Sequence, residues 1–175
     1  MTAGVVYREG AHKGLLMGLY LSILFFTMVF SDRLPLLAVI SFAQLVGVPF
    51  FTYKLMNATN KKYHRTGDFP SLWMLGIAIF IGGSLICGLV TYSYLQYVEP
   101  DYFYRMMQNA IDTYTSIPEF KNSELVDLLN KAIEKEMLPT PIQFSIEMLW
   151  NTTFFGSLLS MILAAIIKRR NGKQK

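Results

Sequence analysis

Cysteine is almost missing from this chain: Cys87 stands alone, so no intramolecular disulfide can staple any part of it. Charge is scarce as well, at 16% of 175 residues, too little for an ordinary soluble surface. Catalytic signatures are wanting: there is no HExxH, no GxSxG, no P-loop and no GxGxxG. His12 and His64 have no second His or Cys at ligand spacing, which leaves no metal pattern. These absences leave no catalytic, cofactor-binding or metal residue to nominate. The period-two alternation of a spanning β-barrel is missing too, since runs such as LLMGLYLSILFFTMVF stay apolar at every position.

What is present is apolar: 53% of the residues, gathered into four charge-poor runs. These are Gly14 to Phe30, Leu34 to Tyr53, Phe69 to Val98, and Leu138 to Ile167 with Glu147 as the exception. Each reaches or approaches the roughly 20 residues that carry a helix across a hydrocarbon core. Where no water can bond the backbone, uninterrupted apolar runs must be helical. The expected fold is all-α, an integral membrane four-helix bundle forming a single membrane domain over residues 1–175. Its spans are expected at about 11–31, 34–55, 71–97 and 141–167. The first run reads as a span and not as a secretory signal, because no small-residue cleavage pattern follows it.

Positive charge orients the spans. One side carries Arg8 and Lys13, then Lys54, Lys61, Lys62 and Arg65, then Lys168, Arg169, Arg170, Lys173 and Lys175. The other carries Arg33, Arg105, Lys121, Lys131 and Lys135 amid a surplus of Asp and Glu. The expectation is that both termini are cytoplasmic. Tyr7, Tyr53, Tyr63 and Trp73 would form one aromatic belt and Tyr92, Tyr94, Tyr97 and Trp150 the other. The basic residues are divided among three membrane-flanking stretches, which excludes a nucleic-acid partner. They read as topological anchors, with anionic lipid headgroups as a secondary partner.

Residues 99–140 read as an extramembrane pair of amphipathic helices divided near Pro118. The first opens at Pro100 and carries Phe103, Met106, Met107, Ala110 and Tyr114 on one face. The second, capped by Asn122 or Ser123, carries Leu125, Leu128, Leu129, Ala132, Ile133 and Met137. Some 40 residues cannot build a core unaided, so these stripes pack on each other and the span ends, or dock a partner.

Two ridges of small residues recur every four positions: Gly10, Gly14, Gly18 and Ser22 in the first span, and Gly156, Ser160 and Ala164 in the fourth. Such ridges admit close helix approach, either within the bundle or between copies in a homo-oligomer. Gln44 and Glu147 are the candidate polar site. Gln44 falls near the middle of the second span, where its amide needs an interhelical partner or lines a substrate path. Pro49 in the same span is a kink candidate. Thr140, Pro141 and Gln143 read as N-cap, first helical position and capping-box partner, so Glu147 is expected at the outer interface, not mid-membrane.

Three segments carry a family resemblance: YREGAHKGLLMGLYLSILFF at Tyr7 to Phe26, YSYLQYVEPDYFYRMM at Tyr92 to Met107, and the final span ending in IIKRR at Ile166 to Arg170. With them the chain resembles the DUF4199 family, small four-span membrane proteins of Bacteroidetes that form a domain of unknown function. The resemblance covers nearly the whole chain. It implies a multi-pass protein of the bacterial inner membrane, with a periplasmic amphipathic helical hairpin between spans three and four, and it implies no activity. The preferred function is a non-enzymatic scaffold or accessory subunit, with membrane lipids and a membrane-protein partner or a second copy around it. A small transporter or channel is the alternative, resting on Gln44, Pro49 and Glu147. An accessory partner of a lipid-carrier glycosyltransferase is the reading that the resemblance adds.

Overall fold

The computed structural model describes residues 2–63, 67–117, 124–135 and 137–172. Among the described residues there are six α-helices and no strand. They are α1 (Ala3–Val29), α2 (Pro35–Lys62), α3 (Phe69–Ser93), α4 (Tyr102–Ser116), α5 (Glu124–Glu134) and α6 (Pro141–Gly172). Four of them, in α1, α2, α3 with its extension, and α6, are long and apolar enough to cross a membrane.

Local chemistry explains the ends. A 3-10 turn, Phe30–Asp32, closes α1, and Pro35 opens α2 at a position where its missing N–H removes nothing. Lys61 and Lys62 close α2, and Arg169 and Arg170 lie in the last turn of α6, where positive charge suits the negative end of a helix. The N-terminus of α6 carries a reciprocal capping box. The Thr140 N–H donates to Gln143 Oε1 at 3.0 Å, and the Gln143 N–H donates to Thr140 Oγ1 at 3.3 Å. After α3 the chain widens into a π-turn, Tyr94–Val98, and α4 starts at Tyr102. Pro100 therefore precedes that helix instead of opening it. The cap positions proposed at Asn122 and Ser123, like Pro118, lie outside the described residues.

The chain divides into two compact units, residues 1–90 with 146–175, and residues 91–145. In the first unit the small residues fix the packing. A Cβ on Gly10 would stand 2.5 Å from the Ala78 Cβ, one on Gly14 3.0 Å from the Gly82 Cα, and one on Gly18 2.7 Å from the Ile86 Cβ. Each four-residue step along α1 matches one along α3, so these helices run parallel with their backbones nearly touching. Ser22, next on the ridge, is buried and donates to the Gly18 carbonyl at 2.8 Å. The second ridge meets the same helix from another side. A Cβ on Gly76 would lie 2.4 Å from the Ser160 Cβ, and one on Gly156 would run into the Phe80 ring. Ser84 and Thr153 continue the series, their hydroxyls 3.1 Å apart, so α6 is antiparallel to α3. Ala164 is fully buried one turn beyond Ser160.

The pairs Glu9 with Lys62, Tyr20 with Phe51 and Thr27 with Gln44 set α2 antiparallel to α1. Only its second half is buried, at Thr52, Leu55, Met56, Thr59 and Asn60. The first half exposes Leu36, Val39, Phe42 and Val46. The alternating directions bring the starts of α1 and α3 and the ends of α2 and α6 to one end of the unit, where Arg8, Lys13, Lys61, Lys62, Lys168, Arg169 and Arg170 all stand.

In the second unit α4 packs against α5, and the side chains buried on these two helices are Phe103, Ile111 and Val126. Phe103 also meets the Phe144 ring edge-on at 5.1 Å. The stripes differ from those expected: Met106 and Tyr114 are exposed where Ile111 is buried, and Leu125 and Leu128 are exposed at 44% and 57% where Val126 is buried. An apolar arc wider than the contact leaves its rotation free, and the neighbouring helix selects the part that is covered. Glu99 ties this unit together, accepting from the Tyr94 hydroxyl at 3.0 Å and from the Arg105 guanidinium.

Gly14→Val forces a branched side chain into the Gly82 backbone. It should destabilise the bundle by about 1–3 kcal/mol, the ordinary range for overpacking. Gly4→Val, at a position with nothing within 4 Å, should leave stability nearly unchanged. Thermal unfolding of both variants in detergent measures the contrast.

Candidate functional site

Polar side chains inside an apolar bundle are the places to look for chemistry, and they form two groups. The first lies between α1 and α2. Thr27 Oγ1 stands 2.7 Å from Gln44 Oε1 and 2.8 Å from the Leu24 carbonyl. A hydroxyl has a single proton, so both contacts are satisfied when the amide turns its NH₂ to Oγ1 and the hydroxyl donates to Leu24. The Tyr20 hydroxyl donates to the Gln44 carbonyl at 2.6 Å, and its ring stacks on Phe51 at 4.7 Å. Gly47 makes this possible, since a Cβ there would lie 2.6 Å from the Tyr20 oxygen. Pro49 has no N–H for the carbonyl four residues before it, and Tyr20 brings a donor to that stretch of backbone.

The second group sits at the basic end. Glu9 is only 6% exposed, an unusual place for a carboxylate, and it is held by two donors. Lys62 Nζ donates to it at 2.7 Å and the Tyr63 hydroxyl at 3.1 Å. Tyr63 in turn accepts from the Arg8 guanidinium at 3.3 Å. The result is a directed chain from Arg8 through Tyr63 to Glu9, with Lys62 arriving from the other side. Nearby, Arg170 donates to the Tyr53 hydroxyl at 2.7 Å, and Asn60 Oδ1 accepts the Gly67 N–H at 3.3 Å. At the start of α3, Asp68 accepts from the Ser71 hydroxyl and backbone N–H, and these bonds hold its carboxyl below the usual range.

The sequence offered Gln44 in mid-span and Glu147 at the outer interface as candidate polar positions, and their surroundings differ. Gln44 bonds to α1, whereas Glu147 is exposed on α6 and joins no ion pair among the described residues. The ridge residues Gly10, Gly14, Gly18, Gly156 and Ser160 face α3, as described. Cys87 is buried within α3, and Trp73 donates from its indole to the Ser157 carbonyl at 3.1 Å. Of the basic run at the end of α2, His64 and Arg65 lie outside the described residues. Glu9 escaped the sequence reading because it stands among Arg8, His12 and Lys13, just before the expected start of the first span. Its spacing from Gly10 was the available signal: it adjoins the ridge that turns inward. No group of three or more His, Cys, Asp or Glu residues suited to a metal ion occurs among the described residues.

Four long apolar helices, joined in part through polar side chains, define a multi-pass α-helical membrane protein. The chain belongs to the DUF4199 family: the model described as "Protein of unknown function (DUF4199)" matches residues 13–169. No curated protein and no solved structure matches it.

Two measurements follow from these contacts. In a double-mutant cycle, Gln44→Leu and Thr27→Val should couple by about 0.6 kcal/mol, the average for an interhelical hydrogen bond in a membrane, whereas Glu147→Gln should change stability little. Because the Asp68 carboxyl lies below its ordinary value of 3.8, the stability from its cap is complete above about pH 4 and is lost as pH falls through the lowered value. The stability difference between the parent chain and Asp68→Ala should therefore shrink on acidification from pH 6 towards pH 3, followed by thermal unfolding.

Proposed function

We propose that this protein is a non-enzymatic scaffold or accessory subunit of a bacterial inner membrane, with both termini in the cytoplasm and residues 99–140 in the periplasm. One observation carries this reading: the polar side chains within the spans are directed at the chain's own helices. Gln44 and Thr27, Tyr20 and the Gln44 carbonyl, Ser84 and Thr153, and Trp73 and the Ser157 carbonyl each join two helices. Polarity used in this way builds a frame. The outward faces, among them the first half of α2, stay apolar and suit contact with lipid or another membrane protein. The orientation is supported by the basic residues collected at one end of the four helices.

Crosslinking in cells from a tagged native copy, read by mass spectrometry, tests the role. A partner recovered reproducibly through residues 99–140 is the expected result, and self-crosslinks alone would defeat it. Transport would instead appear as flux in liposomes that is lost with Gln44→Leu or Glu147→Gln. The orientation has its own test in a Cys87→Ser background. A membrane-impermeant maleimide added to spheroplasts should label Thr113→Cys and leave Arg169→Cys unlabelled until the membrane is opened.

A further inference from the structure

We propose that the Arg8, Tyr63, Glu9 and Lys62 cluster is a docking site for the phosphate of an anionic phospholipid. Anchoring of a span by positive charge requires loose cations and nothing else. Here the cations are held in place. Glu9 is buried and fixes Lys62 at 2.7 Å and Tyr63 at 3.1 Å, and Tyr63 positions the Arg8 guanidinium at 3.3 Å. Lys62 also stands 5.7 Å from the centre of the Tyr63 ring, and the Lys13 charge acts on the same carboxylate. Three cations therefore surround one carboxylate, and the imbalance is positive. Arg8 is exposed and uses one edge of its guanidinium on Tyr63, so the rest of its fork can take two phosphate oxygens side by side. The Lys62 side chain is 62% exposed, which leaves its remaining donors open to the same anion.

The surface beyond the cluster favours a lipid over a free phosphate. The face of α1 that begins at Arg8 continues through His12 to Leu15, Leu19 and Ile23 at helical spacing, all exposed. A charged head is followed by an apolar track along one helix face. A glycerophospholipid has the same order of parts, with its acyl chains below its phosphate.

Native mass spectrometry of the full chain in detergent tests this, titrated with phosphatidylglycerol, phosphatidylcholine of the same acyl chains, or inorganic phosphate. Phosphatidylglycerol should be retained in preference to the other two. Two variants that preserve net charge decide whether geometry matters: Arg8→Lys removes the fork and Tyr63→Phe removes the hydroxyl that orients it. Each should weaken phosphatidylglycerol binding by about tenfold or more, as expected for one lost hydrogen bond to a charged group, while Arg169→Lys should not. Thermal midpoints recorded on the same samples separate lost binding from lost folding, and a Tyr63→Phe protein with parental stability and weakened binding is the expected pattern. The proposal is overturned if both variants keep the parental preference, because charge alone would then suffice. Equal retention of phosphatidylcholine, or inorganic phosphate binding as tightly as the lipid, would overturn it too.

Discussion

The close approach of α1 to α3 is the constraint on which the membrane-spanning unit depends. Inside a bilayer, burying apolar surface between helices gains nothing over burying it in lipid, so association must come from dispersion contacts at short range and from polar bonds. Gly14 facing Gly82 removes both side chains from the line of contact and lets two backbones meet. Gly10 against Ala78 and Gly18 against Ile86 extend the meeting over two turns. Glycine lowers helix propensity by about 1 kcal/mol per position relative to alanine, and the contact it permits offsets that. Once α3 is held in this way, its other sides are available to α6 through Gly76 and Phe80, and α2 closes on α1.

Polar residues add specificity to that packing. An interhelical hydrogen bond in a membrane is worth only about 0.6 kcal/mol on average, so such bonds fix register more than they hold the bundle together. Thr27 with Gln44 and Tyr20 with the Gln44 carbonyl set how far α1 and α2 slide past each other, and Glu9 with Lys62 repeats the same register at the basic end. A slip of one residue would break all of these at once. At the basic end the same logic yields more than register, because a buried carboxylate that positions two cations gives shape to what would otherwise be a diffuse positive surface.

The amphipathic helices of residues 91–145 obey a different rule. α4 and α5 are not among the helices long and apolar enough to cross a membrane, and in this unit burial of apolar surface covers Phe103, Ile111 and Val126. Their stripes were legible as stripes, and the capping box of Thr140 and Gln143 was legible residue by residue, since a cap is decided by neighbours in the chain. The rotation of each stripe was not legible. Leu128 and Val126 are equally apolar, and only the position of a neighbouring helix decides which one is buried.

By itself the sequence determined the helical class, the number of spans, the start of the last helix marked by Thr140 and Pro141, and the collection of basic residues at span ends. All of these follow from hydropathy and backbone bonding over a few turns. It also displayed both small-residue ridges without saying what they meet. Only the tertiary structure decided that α3 receives both of them, that Gln44 bonds to α1 while Glu147 stays exposed, and that Glu9 turns inward among its cations. The physical reason is that a ridge or a carboxylate takes its partner from segments dozens of residues away, and their relative register comes from packing, which no local pattern encodes.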